Sequence, residues 1–180
     1  MKMRNVLAVL ALAALAISPE TVFAHAAWKI GGTTPPRSND MGLKDNTGNN
    51  GCGNPNLKRG TNPVTLVVGQ PLKLQWTEYI YHRGYYRVAI SPSGQVGAEF
   101  DDPKNQWLKM DNSTDMNTPK EFEQTITVPN TPCANCTLQF TQFMTDTGTN
   151  YYSCSDVVIM PAKGTPAPSP TPKAGDDCAK

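Results

Sequence analysis

The chain has 180 residues, a formal net charge of +1 and 38% hydrophobic residues. Because 16 Lys and Arg residues balance 15 Asp and Glu residues, the composition excludes a strongly basic nucleic-acid binder and a polybasic membrane binder. The length suits one domain with a substantial hydrophobic core. We therefore expect an uncharged partner, and neither nucleic acid nor a membrane.

The first 24 residues have the pattern of a secretion signal. Lys2 and Arg4 precede a charge-free apolar run over residues 6–17, and a small residue, Ala24, ends the segment. The run is too short to cross a bilayer as a helix. Residues 1–24 are therefore predicted to be a signal peptide, and the mature protein to be secreted, either extracellular or periplasmic. Cleavage after Ala26 also fits the small-x-small rule and is the alternative.

The mature chain alternates apolar and polar residues with a period of two, which indicates half-buried strands. Leu72, Leu74 and Trp76, for example, face one way while the residues between them face the other. No long segment has a convincing helical stripe. The pattern predicts six or seven strands, among them residues 64–68, 72–77, 85–90, 122–128, 136–141 and 151–160. The expected fold is all-β, an antiparallel β-sandwich.

Two stretches interrupt this alternation. Residues 29–63 are rich in Gly, Pro, Asn and Thr, which predicts a long loop region after the first strand, either functional or disordered. Residues 161–175 are rich in Pro, Ala, Thr and Ser and cannot build a core. The folded domain is therefore expected over residues 25–160, with a disordered tail over residues 161–180.

The sequence contains two histidines, His25 and His82. Taken singly, either one is more simply explained as an ordinary surface or core side chain. Cleavage after Ala24, however, makes His25 the first residue, so that its α-amine and ring Nδ1 can chelate one metal ion. His82 would add a third nitrogen, and nitrogen-rich tetragonal coordination favours Cu(II). The residues thus indicate a copper site that depends on where the signal is cleaved.

Three segments of the mature chain carry short motifs. The first has His25-Ala-Ala-Trp, then Pro35-Pro36-Arg37-Ser38 and Gly51-Cys52-Gly53. The second has His82 followed by an aromatic-Arg strand, Tyr85-Tyr86-Arg87. The third has Asp146-Thr147, Tyr151-Tyr152 and Asp156-Val157. In this order the three segments, which span nearly the whole mature domain, resemble the chitin-binding type-4 class of lytic polysaccharide monooxygenases.

The resemblance implies an immunoglobulin-like sandwich with one copper per chain on a flat face, held by His25 and His82 as a histidine brace. Tyr151 would stand on the axial side of the copper, so these three are the expected catalytic residues. The resemblance also implies an external electron donor, O2 or H2O2 as co-substrate, and oxidative cleavage of insoluble chitin or cellulose by a monomer. Whether the substrate is chitin or cellulose, and whether oxidation occurs at C1 or at C4, stays open.

That class has two further features for which this sequence offers candidate residues. The class places a Glu or Gln near the copper, and Gln139 and Gln142 are candidates by strand position. It also displays an aromatic residue on the loop after the first strand for stacking on sugars. Residues 29–63 contain none, and Trp107, in the stretch 94–118, is a candidate substitute.

All five cysteines follow the predicted signal, so disulfides are expected in an oxidising compartment. Cys52 and Cys154 would both lie near the point where the metal ligands converge, and a bridge between them would close about 100 residues. Cys133 and Cys136 could form a zinc knuckle or a redox motif, but no second CxxC exists and zinc needs four ligands. A local disulfide is therefore expected there. Cys178, in the tail, is the odd cysteine.

Two alternatives from other functional classes stay open. The first is a copper-binding or copper-transfer protein with the same two histidines and no action on polysaccharide. The second is a non-catalytic carbohydrate-binding or envelope protein, which requires that His25 is cleaved away or binds no metal. Ordinary hydrolysis is not expected, because the sequence shows neither an acid/base carboxylate pair nor a Ser-His-Asp arrangement.

Overall fold

The computed structural model describes residues 25–30, 43–44, 51–52, 59–112 and 114–164. Within these ranges the chain forms β-strands and very little helix. The strands are β1 (Ala26–Ile30), β2 (Leu43–Lys44), β3 (Val64–Val67), β4 (Pro71–Glu78), β5 (Gly84–Ser91), β6 (Gln106–Asp111), β7 (Lys120–Thr127), β8 (Cys133–Met144) and β9 (Thr149–Met160). One short helix, α1 (Gly97–Asp101), and a 3-10 turn at Pro103–Asn105 lie between β5 and β6.

The strands form two sheets that pack face to face. The smaller sheet has the order β1-β4-β7, and the larger has the order β2-β9-β8-β5-β6, with β3 also paired to β9. The β-sandwich expected from the sequence is confirmed. One pairing is parallel, that of β3 with β9, where Val64 lies opposite Val157. These strands are far apart in the sequence, so no tight hairpin imposes an antiparallel direction on them.

The core lies between the two sheets and is rich in aromatic side chains. In β4 the alternation expected from the sequence is present, because Leu72, Leu74 and Trp76 are buried and the residues between them are not. The Trp76 ring packs against three other aromatic rings from both sheets, those of Tyr86, Phe122 and Phe140. Burying each such side chain contributes roughly 1.5–3 kcal/mol relative to leaving it exposed, so this cluster holds the two sheets together.

The larger sheet is buried on its outer face as well. There Arg87 donates hydrogen bonds to Asp101 in α1 and to Gln139 in β8, and Phe100 of α1 is buried. Gly51 adopts a φ of 75° and lies so close that a Cβ would collide with the Phe100 ring. The helix was not expected from the sequence, because five residues with one buried side chain produce no periodic stripe.

Trp107 is a packing residue. It lies in β6, is only partly exposed and packs against the core cluster. The suggestion that the stretch 94–118 presents this ring to a sugar is therefore not supported, because β6 places the indole against the sandwich rather than on a loop.

Several expectations fall on parts of the chain that the structure does not describe. These are the signal peptide at 1–24, most of the long loop region at 29–63, the tail beyond residue 164, and Cys178. The first strand extends to Ile30 and so overlaps the start of the expected loop region. Among the described residues, no helix has the length and apolar character needed to cross a bilayer.

Both expected disulfides are present. Cys52–Cys154 joins the segment 51–52 to β9 over a sequence separation of 102 residues. Cys133–Cys136 closes a separation of three residues, at a point where the register of β8 against β9 shifts. The first disulfide joins residues 51–52 to the centre of the larger sheet, and the second is a local cross-link at a strand end.

Removing the long-range disulfide should cost much more stability than removing the local one. Because a cross-link stabilises mainly by restricting the unfolded chain, Cys52→Ser/Cys154→Ser should lower the free energy of unfolding by about 4–5 kcal/mol. The control, Cys133→Ser/Cys136→Ser, should lower it by about 2 kcal/mol. Urea denaturation monitored by tryptophan fluorescence measures both losses. Equal losses would contradict this account.

Candidate metal centre

Three chain segments meet at one end of the sandwich. His25 immediately precedes β1, His82 lies in the loop between β4 and β5, and Tyr151 lies near the start of β9. The backbone N–H groups of Tyr79 and Ile80 both donate to the His25 carbonyl, at 2.7 and 3.3 Å. These two hydrogen bonds hold the loop that carries His82 against residue 25.

The three rings form a stack. The centroids of the His25 and His82 rings are 4.9 Å apart, with an interplanar angle of 14°. The Tyr151 ring stacks on His25 with centroids 3.7 Å apart. The structure therefore brings together the three residues, His25, His82 and Tyr151, that the sequence indicates as a site.

The two imidazoles lie close enough together to be considered as ligands of one metal ion. Their ring centroids are 4.9 Å apart, and protein metal–imidazole bonds are about 2 Å long. Within the described part of the chain, no group of three or more His, Cys, Asp and Glu side chains is suited to a metal.

Asp146 orients the His82 ring. Its Oδ2 lies 3.3 Å from His82 Nδ1 and also accepts the Arg83 backbone N–H at 3.2 Å. Desolvation raises the pKa of the Asp146 carboxyl, but these hydrogen bonds outweigh it and the pKa lies below its usual value. With Nδ1 donating to this carboxylate, the Nε2 lone pair of His82 is available to a metal.

Tyr151 lies across the face of the His25 ring. Its β9 position pairs with Gln142 in β8, and burial raises the pKa of the phenol above its usual value. The side chain is therefore a neutral phenol at physiological pH, and it shields one face of His25 from water.

A buried carboxylate lies close to the three rings. Glu78, the last residue of β4, is fully buried, and its backbone pairs with Ala26, next to His25. Its Oε1 accepts hydrogen bonds from Asn112 Nδ2 at 2.8 Å and from Gln142 Nε2 at 3.2 Å. Asn112 also donates to the His82 carbonyl at 2.6 Å. This network connects the strands and loop that carry His25, His82 and Tyr151.

The network separates the two glutamine candidates. Gln142 belongs to it, whereas Gln139 bonds Arg87 and the Gly51 carbonyl on the outer face of the larger sheet. Sequence reasoning missed Glu78. The sequence nevertheless contained an indication of its role. Glu78 continues the inward-facing series of Leu72, Leu74 and Trp76, and a carboxylate at a core position of a strand is unusual.

The family relationship follows from a comparison of sequences. A family model described as "Lytic polysaccharide mono-oxygenase, cellulose-degrading" matches residues 24–157, which is most of the chain. The chain belongs to this family. The match begins at the residue before His25 and includes His82, Glu78, Asp146 and Tyr151. No protein of curated function matches the chain significantly by sequence.

Several solved structures are similar to this family member at low sequence identity. A lytic polysaccharide monooxygenase from Streptomyces lividans is 15% identical, with a TM-score of 0.50 over 76% of this chain and 83% of that one. The catalytic domain of a lytic polysaccharide monooxygenase from Listeria monocytogenes is 15% identical, with a TM-score of 0.46 over 69% and 79%. A chitin-binding domain from Burkholderia pseudomallei is 16% identical, with a TM-score of 0.46, and the match covers 55% of this chain but only 57% of that one.

Glu78 should stabilise the fold by accepting hydrogen bonds from the Asn112 and Gln142 amides. Glu78→Ala leaves the Asn112 and Gln142 amides without this acceptor, which should lower the free energy of unfolding by about 1–3 kcal/mol. Glu78→Gln keeps an acceptor oxygen and should cost less. Glu123→Ala, at an exposed position of the same sheet, should change stability by less than about 0.5 kcal/mol. Urea unfolding compares the three variants, and a Glu78→Ala protein as stable as Glu123→Ala would refute the role.

Proposed function

We propose that the protein is a secreted, copper-dependent lytic polysaccharide monooxygenase that cleaves glycosidic bonds of chitin or cellulose oxidatively. One observation carries the proposal. The two histidines of the chain stack 4.9 Å apart at one end of the sandwich, and one of them follows directly on the predicted signal. Family membership supplies the reaction class, and the described residues supply the donors.

The donor set favours copper. His25 would contribute its α-amine and a ring nitrogen, and His82 would contribute Nε2, which makes three nitrogens and no thiolate or carboxylate. Such a set suits Cu(II), which also leads the affinity order of divalent first-row metals. Copper, reduced by an external donor and supplied with O2 or H2O2, provides the oxidising chemistry for hydroxylating a C–H bond next to a glycosidic linkage.

Cleavage of the signal after Ala24 is supported by the strand that follows. Ala26 is buried and begins β1, pairing with Glu78. Cleavage after Ala26 would therefore remove a core residue together with His25. His25 also has a φ of 65°, a backbone conformation uncommon outside glycine because of crowding with the preceding peptide unit. A mature chain that begins at His25 has no preceding peptide unit.

The neighbouring residues have separate roles in this proposal. Asp146 holds His82 in the tautomer that leaves Nε2 available, and Tyr151 covers the face of His25 and excludes water. Glu78, kept in place by Asn112 and Gln142, is the group proposed to hold or move a proton beside the histidines. Its Oε2 has no hydrogen-bond partner among the described residues.

Copper uptake should depend on both histidines. The exported protein should have an intact mass that begins at His25 and, in native mass spectrometry, should gain one copper when one equivalent of Cu(II) is added. His82→Ala should abolish stoichiometric uptake at the same concentration. A mass beginning at Ala27, or no uptake by the unaltered protein, would refute the proposal and favour a binding module.

Oxidised products decide between an enzyme and a copper carrier. With ascorbate and O2 or H2O2, the copper-loaded protein should release oxidised oligosaccharides from chitin or from cellulose, and mass spectrometry of the soluble fraction identifies which. His82→Ala, treated identically, is the control. Copper uptake without products from either polymer would favour the copper-transfer alternative.

Asp146→Asn should weaken copper binding without removing a ligand. The neutral side-chain amide of the variant is a weaker acceptor for the hydrogen bond from His82 Nδ1. Loss of such an orienting carboxylate typically reduces metal affinity by about 10–100-fold. Competition with a chromogenic chelator measures the dissociation constant. Asp115→Asn, at an exposed carboxylate in the loop before β7, is the control. An unchanged affinity in Asp146→Asn would show that Asp146 does not orient His82.

A further inference from the structure

A small cleft lies on the outer face of the three-stranded sheet. Its volume is about 120 Å³, and its walls come from all three strands and from the start of the β4–β5 loop. The lining residues are Ala27, Gln75, Trp76, Thr77, Tyr79 and Glu121. We call it the outer cleft. Apart from the backbone N–H of Tyr79, which bonds the His25 carbonyl, these residues have no role in the metal centre described above.

The outer cleft begins beside the histidine pair. Ala27 is two residues from His25, which at the rise of a β-strand is roughly 7 Å, and it lies opposite Thr77 in the sheet. Tyr79, at the same end, donates its backbone N–H to the His25 carbonyl at 2.7 Å. A molecule bound in the cleft would therefore lie within one or two sugar units of the two histidines.

The lining has the chemistry that binds sugars. Thr77 Oγ1 donates to Glu121 Oε1 at 2.8 Å, and Gln75 Nε2 donates to Glu123 Oε2 at 2.8 Å. These cross-strand bonds hold a carboxylate and an amide in place, with the Gln75 carbonyl oxygen able to accept a hydroxyl. Tyr79 adds a partly exposed aromatic ring, which can contact the apolar face of a sugar.

The size and charge of the outer cleft restrict what it can hold. At about 120 Å³ it is smaller than the ~300–1,000 Å³ pockets that enclose a drug-sized ligand, so it suits one ring rather than a whole oligosaccharide. Because the Ala27 side chain is small, the space between Thr77 and Tyr79 stays open. The carboxylates of Glu121 and Glu123 would repel an anionic sugar.

We propose that the outer cleft is a saccharide-binding subsite that takes one sugar ring of a neutral glycan chain whose neighbouring units approach the histidines. The inference rests on the proposed function for its class of ligand. Because the cleft is recessed in the side of a sheet, a flat packed fibre cannot enter it. The subsite therefore binds a single chain that has separated from the packed polymer.

The test is a titration of the ¹⁵N-labelled mature chain with soluble cellohexaose and, separately, chitohexaose. Backbone amide spectra are recorded with copper in the diamagnetic Cu(I) state and again without copper. Shifts are expected at residues 75–79 and 121–123 with at least one of the two sugars. The pair of sugars distinguishes a glucan from an N-acetylglucosamine polymer as the source of the ring.

Three variants localise the binding. Gln75→Ala and Glu121→Gln each change one polar contact and should weaken binding by about three- to tenfold, in line with one net hydrogen bond. Ala27→Tyr fills the cleft and should abolish the shifts while circular dichroism shows an intact fold. Lys104→Ala, in the 3-10 turn at Pro103–Asn105 and outside the cleft, is the control and should bind like the unaltered protein.

The outcomes separate the subsite from the enzyme. Chemical-shift changes confined to the surroundings of His25, His82 and Asp146, or no changes at millimolar sugar, would refute the subsite. Neither result would contradict the proposed function. Equal binding by Ala27→Tyr and the unaltered protein would also refute the subsite. If the amides of the outer cleft change their chemical shifts in a protein that takes up no copper and yields no oxidised products, the subsite is supported and the proposed function is refuted.

Discussion

The pairing of β8 with β9 is the interaction on which the rest of the structure depends. Their residues pair almost without interruption from Cys136–Val157 to Met144–Thr149, and β9 also pairs with β2 and β3. The turn between the two strands carries Asp146, which bonds His82. A displacement of this hairpin would move Tyr151 and Asp146 together, so the backbone pairing of the larger sheet positions one side of the candidate metal centre.

The other side of the centre depends on the smaller sheet. The pairing of β1 with β4 brings Ala26 opposite Glu78, and the His25 carbonyl receives both N–H groups at the start of the β4–β5 loop. Aromatic packing of Trp76 against Phe140 joins this sheet to the larger one. The spacing of the two histidines thus depends on a packed core and on the hydrogen bonds that hold the β4–β5 loop against residue 25, which is how a metal site with few protein ligands keeps its geometry.

The buried polar groups beneath the rings connect stability to chemistry. Glu78 has no exposed surface, so its carboxylate is tolerated because Asn112 and Gln142 donate to it. Its position also places it next to the residues proposed to hold copper. The outer cleft, on the opposite face of the same strand β4, would let one strand serve both the reacting centre and a glycan chain, with Trp76 between them in the core.

The sequence by itself determined most of the strands and the sandwich, and it predicted a site at His25, His82 and Tyr151, whose rings the structure brings together. Period-two alternation is a local property, and the family motifs lie in short segments such as Asp146-Thr147 and Tyr151-Tyr152. It could not select between Gln139 and Gln142 or find α1 and the outer cleft. Those features depend on which residues lie opposite each other across strands and between sheets, and such long-range pairings leave no local periodicity. Only the tertiary structure decided them.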